Sequence, residues 1–137
     1  MSRNERGSGR SRRGQNTIEV IAGLFVLVPL ALFLYDLYVI VLSNQLVDRI
    51  AKDCARAAAN QADQASADAA AETAKASFHQ TANVTSMSIQ HPVAYVANDT
   101  VSVTLDMTVQ LPVPFPGLDN TPHFHAKAVE PVVTVSH

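Results

Sequence analysis

The chain has 137 residues, 47% of them apolar, and a formal net charge of −2, which suits one modest domain. That average conceals a split. Residues 1–14 hold five of the ten basic residues (Arg3, Arg6, Arg10, Arg12, Arg13) and one acid, Glu5, so the remainder carries five positive charges against eleven negative, a net of −6. Neither part reads as a nucleic-acid surface, because the arginines adjoin an apolar stretch and the acidic remainder repels phosphate.

After the basic tail, the run VIAGLFVLVPLALFLY from Val20 to Tyr35 has no charged or amide side chain, and LYVIVL follows Asp36. Ile18 to Leu42 is about 25 residues, which at ~1.5 Å per residue crosses a ~30 Å hydrocarbon core with tilt to spare. A buried core helix is the plain alternative, but so long and uniform a run does not fit inside a domain this small. Arg10, Arg12 and Arg13 precede the run and few basic residues follow Leu42 closely. The positive-inside rule therefore puts the amino terminus in the cytoplasm and the body on the exported, periplasmic or extracellular side of an inner membrane. A cleaved secretory signal shares this layout, yet its apolar region is typically about 7–15 residues long. Here the run is longer, and Tyr35-Asp36-Leu37-Tyr38 offers no small-x-small cleavage site. The segment is expected to remain as an anchor, kinked at Pro29, which lacks an N–H and crowds the preceding turn.

Two acids stand where acids are expensive. Asp36, flanked by Tyr35 and Tyr38, is expected to reach the outer interface. Glu19 stands one turn into the helix; by position alone it is a headgroup-layer residue favouring the positive end of the helix dipole.

The segment from Arg12-Arg13-Gly14-Gln15-Asn16-Thr17-Ile18-Glu19-Val20 into the long apolar helix resembles the class III signal of type IV pilins and pseudopilins. More narrowly, residues 10–60 look like the start of TadE-like minor pseudopilins of the tight-adherence (Flp) pilus system. The run Asp53-Cys54-Ala55-Arg56-Ala57-Ala58-Ala59 echoes that family's Ala- and Arg-rich continuation, while Val20 stands where an aromatic is usual. The resemblance implies a leader of residues 1–14, cut by a prepilin peptidase between Gly14 and Gln15, and a role for Glu19, as fifth mature residue, in assembly. It also implies a pilin-like fold, and as partners the membrane, the peptidase, other pilins or pseudopilins and the pilus assembly platform. A glutamate among packed apolar helices needs a positive partner, and a neighbour's α-amino group can supply one.

Beyond a transmembrane segment of 15–43, the helical signal runs on to about Ala59. Leu46, Val47, Ile50, Ala51, Cys54, Ala57 and Ala58 recur at spacings of three and four, an apolar stripe. Asp48 with Lys52 and Arg49 with Asp53 are i,i+4 pairs on the opposite face. Asn60 to Ser66 is expected to turn, and a second Ala-rich helix to run from about Ala67 to His79, with Asp68 and Glu72 early and Lys75 late, as the dipole favours.

From Asn83 the pattern becomes alternating. VTSMSI and AYVA lead to a run in which Val101, Val103, Leu105, Met107, Val109 and Leu111 share one face and Ser102, Thr104, Asp106, Thr108 and Gln110 the other. That is a strand with one wet side. Asn98-Asp99 signals a hairpin turn. Pro112, Pro114, Pro116 and Gly117 end the strand, and a last strand is expected from about His123 to Val135, held to an edge by Pro131. The expected fold is α+β and membrane-anchored: a long helix, a short helix, then a three-stranded antiparallel sheet over residues 83–137, with a thin core.

Little here suggests chemistry. His123 and His125 fall on one side of a strand as a possible metal pair, with no carboxylate or thiol at ligand spacing. His79, His91 and His137 are scattered. Cys54, being alone, is either a buried helix-face thiol or half of an intermolecular bridge. No nucleophile elbow, phosphate loop or paired catalytic acids occur. The expectation is therefore a non-enzyme with no cofactor, metal, small-molecule substrate or nucleic-acid partner. A filament subunit or a single-pass anchored binding protein remain as its roles.

Overall fold

The computed structural model of the chain describes residues 11–78, 83–114, 117 and 119–133, with side chains from Thr17 onward. In chain order the elements are α1 (Ser11–Ala59), α2 (Gln64–Ala76), β1 (Val84–Ile89), β2 (Ala94–Tyr95), β3 (Thr100–Val109) and β4 (His123–Pro131). The chain divides into two compact units, Met1–Tyr35 and Asp36–His137.

The first unit, where described, is helix alone. The helix continues through Pro29, and every described side chain from Thr17 to Tyr35 is exposed.

The second unit holds the core. β3 lies at its centre, with Val101, Val103, Leu105, Met107 and Val109 buried in strict alternation, as a period of two demands. β4 pairs antiparallel along one edge of β3, from Thr100↔Pro131 to Thr108↔His123. β1 and β2 share the opposite edge: β1 covers the stretch around Leu105–Val109 and β2 covers Val101–Ser102. Four strands therefore form where three were expected. The edge row is broken at His91-Pro92, where Pro92 has no N–H to give to the ladder. Asn98 takes the left-handed conformation (φ 61°) in the β2–β3 turn, which Val96 N–H to Thr100 O at 2.8 Å closes.

Helical residues complete this core. From α1 come Val47, Ile50, Ala51, Cys54, Ala55, Ala58 and Ala59, and from α2 come Ala67 and Ala71. Compared with the expected stripe, Leu46 and Ala57 are only half-buried, and Ala55 and Ala59 take inward places. α2 starts earlier than its alanine content suggests. Asp63 caps it by accepting from the Ser66 backbone N–H at 2.8 Å, satisfying a donor that the first turn would otherwise leave orphaned. His79, the expected end of α2, lies outside the described residues, as do Pro116 and Val135. The pairs Asp48–Lys52 and Arg49–Asp53 do not close; among the described residues the Lys and Arg side chains that form ion pairs are Arg56, 3.4 Å from Glu130, and Lys75, beside Glu72.

Candidate membrane and assembly surface

The apolar face begins at Ile18 and continues on all sides of α1. Ile18 is 70% exposed, Phe25 82% and Val26 70%, and Leu24, Leu27, Leu30 and Leu34 are each more than half exposed. Side chains pointing in every direction around a helix cannot all be covered by one small domain. A helix apolar all round belongs in lipid or among other helices. The described residues contain one helix long and apolar enough to cross a membrane. Beside Pro29, the side chains of Ile21, Leu24, Phe25 and Val28 line a shallow hollow.

Glu19 is exposed at the start of this run. Gly14 ends the first turn of α1, after Arg12 and Arg13, and Gln15 begins the second; only their backbone is described. Arg10 lies outside the described residues.

Asp36 is turned inward. It is 1% exposed and belongs to the second unit. Its Oδ1 accepts from the Val113 backbone N–H at 3.3 Å, while Oδ2 is buried with no hydrogen-bond partner. The reason is helical phase. Counting back from Cys54 through Ile50 and Val47 at spacings of three and four lands on Ser43, Val39 and Asp36, all of them buried. Asp36 is thus the first residue of the stripe that faces the sheet, and extending the stripe past Leu46 in the sequence would have found it.

Two polar clusters join elements of the second unit. In the first, His91 bridges two carboxylates of α2: Nε2 is 2.7 Å from Glu72 Oε1 and Nδ1 is 3.3 Å from Asp68 Oδ1. Glu72, then Asp68, holds the imidazole above its usual pKa. Glu72 is itself held below the carboxylate range, first by Lys75 and then by His91. Nothing in the sequence marks His91, since its partners are about twenty residues away on another element.

The second cluster lies on the wet face of the sheet. His125 Nδ1 contacts Asp106 Oδ1 across the β3–β4 pair, and Gln90 Nε2 donates to Asp106 Oδ2 at 3.0 Å. His125, then Gln90, holds Asp106 below its usual pKa. His123 Nδ1 lies 3.0 Å from Thr108 Oγ1. Each imidazole of the expected metal pair thus has its own cross-strand partner. A carboxylate does stand beside His125, contrary to the sequence reading. Even so, no group of three or more His, Cys, Asp or Glu among the described residues is placed to hold a metal ion. Cys54 is fully buried and reduced.

No protein-family model, curated protein or solved structure matches this chain. What the chain can do follows from its own residues: an uncovered apolar helix, one acid at its start, and a small folded unit carried on the same helix.

Proposed function

We propose that this chain is a TadE-like minor pseudopilin, a structural or priming component of a tight-adherence (Flp) pilus or a related secretion filament. The observation that carries the proposal is the apolar surface from Ile18 to Tyr35, exposed on all sides, with Glu19 as its single acid. Such a helix is stored in the inner membrane, amino terminus in the cytoplasm, and can exchange lipid for neighbouring helices when subunits assemble. A prepilin peptidase hydrolyses the Gly14–Gln15 bond, which requires the first turn of α1 to open. The new α-amino group of Gln15 then serves as the positive partner for Glu19 of an adjoining subunit. Arg10, Arg12 and Arg13 set the orientation. Major subunits of this system are usually much shorter, which favours a minor role.

A second reading keeps the chain as a single-pass anchored protein whose exported unit binds a partner without entering a filament. It is favoured by the second unit having its own buried core from Val39 to Ala128.

Intact-mass spectrometry of membrane-extracted protein, co-expressed with and without a prepilin peptidase, separates the two. Loss of residues 1–14 only with the peptidase supports the pseudopilin. A full-length chain in both samples overturns it and leaves the anchored binding protein.

A further inference from the structure

α2 has little apolar surface with which to hold itself in place. Its fully buried residues are Ala67 and Ala71, two methyl groups where a helix usually inserts leucines or larger side chains. Polar contacts to one short segment, residues 91–95, do much of the holding. Gln64 Nε2 donates to Val93 O at 3.1 Å, and Asp68 Oδ1 accepts from Val93 N–H at 2.8 Å. Just before α2, Gln61 O accepts from the Tyr95 hydroxyl at 3.0 Å. His91 closes the row on Asp68 and Glu72, one helical turn apart.

The chemistry of the ring decides how firm that closure is. Both nitrogens face carboxylate oxygens, which only accept. A neutral imidazole has one N–H, so it can satisfy one carboxylate while turning a lone pair toward the other. The imidazolium donates to both.

We propose that His91 is a pH-operated clasp: protonated, it holds α2 on the corner between β1 and β2 through both carboxylates, and on losing its proton it gives up one of them and loosens the helix. The charged groups facing it are Asp68 and Glu72 of α2, with Lys75 closing on the far oxygen of Glu72. On its own side Gln90 is engaged with Asp106 instead. The pKa of His91 lies above its ordinary value of 6.5. The clasp is therefore complete below about pH 6.5 and is lost as the pH rises through the folded-state value. Its use would be to let the exported unit sense the acidity of its compartment, with α2 as the moving part. The inference is independent of filament assembly.

The test is hydrogen exchange with mass spectrometry on the full chain in detergent micelles, at about pH 5.5 and about pH 8.5, corrected for intrinsic exchange rates. Peptides from residues 45–59 of α1 serve as reference. Amides of 64–76 should exchange about threefold to tenfold faster, relative to that reference, at the higher pH, the range expected for one partly exposed hydrogen bond to a charged group. His91→Gln should abolish the difference. Equal protection of α2 at both pH values in the wild type overturns the clasp. So does a pH effect that survives in His91→Gln, which would assign it to another titrating group, such as one of the other four histidines. Should that variant not fold, the wild-type His91 ring can be titrated by NMR, and a midpoint at or below the ordinary imidazole value overturns the proposal equally.

Discussion

Asp36 accepts a hydrogen bond from the backbone N–H of Val113, 77 positions further along the chain, and so ties α1 to the proline-containing loop after β3. This carboxyl is spent on one donor. Its other oxygen is buried without a partner, an uncommon and costly arrangement. The bond explains how a loop containing Pro112 and Pro114, which lack N–H groups, is pinned at the one residue between them that has one.

Substitutions at Asp36 should therefore test the acceptor. Asp36→Asn keeps an acceptor oxygen for Val113 and should lose less stability than a variant that has none. Asp36→Ala removes the acceptor of the half-buried Val113 N–H and should cost about 0.5–1.5 kcal/mol. Thermal unfolding of the full chain in detergent reads both; equal losses in the two variants would mean that the hydrogen bond is not what Asp36 contributes.

Cys54 stands with no exposed surface between α1 and the sheet. Thiol reactivity requires access as well as ionisation, so a maleimide should leave the folded protein unmodified and label it only after denaturation. Cys54→Ala should cost about 1 kcal/mol, and Cys54→Leu about 1–3 kcal/mol through overpacking. Rapid labelling of the native chain would contradict this placement.

The pairing of Asp106 with His125 and Gln90 predicts an acid-side dependence. The carboxyl of Asp106 is held below its ordinary value, so its contribution is present above about pH 4 and fades as the pH falls through the depressed folded-state value. Asp63, Glu72 and Asp119 shift in the same direction, through Ser66, through Lys75 with His91, and through Thr121 respectively. Asp106→Asn should lower the melting temperature at neutral pH and make the fall between about pH 4 and pH 2 shallower than in the wild type. An unchanged acid slope would place the dependence on the other three.

Much of this fold is legible in the residues because local chemistry and packing agree. The alternation from Val101 to Val109 survives as buried and half-buried positions in turn, and Asn98-Asp99 turns the chain where the dipeptide suggested, with Asn98 in the left-handed region that its short polar side chain tolerates. Other features depend on partners far away in sequence. Whether VTSMSI and AYVA make one strand or two depends on how β3 meets His91-Pro92. The His91 cluster exists because Asp68 and Glu72, one turn apart on α2, are brought to the β1–β2 corner by the packing of Ala67 and Ala71. Asp36 is hard to read for a different reason: a charged residue at the end of an apolar run suggests an interface, and its burial follows from the helical phase that it shares with Val39 and Val47.

The apolar surface of α1 yields the most discriminating test of the membrane reading. Leu27 is 62% exposed and Leu30 55%, both in the middle of the run, where a spanning helix would place them near the bilayer centre. A lysine there costs about 2.5–3.5 kcal/mol on the insertion scale, so Leu27→Lys with Leu30→Lys should cost about 5–7 kcal/mol, more than snorkelling from that depth easily recovers. The double variant should shift from the alkali-resistant membrane fraction to the extractable or degraded fraction. The comparison is Val129→Lys, at a β4 position 56% exposed, which should leave fractionation unchanged because it substitutes a residue of the second unit, outside the apolar run. If the Leu27 and Leu30 double variant stays in the membrane as well as the wild type, these residues do not lie in hydrocarbon, and the uncovered helix must find its apolar partner in another protein.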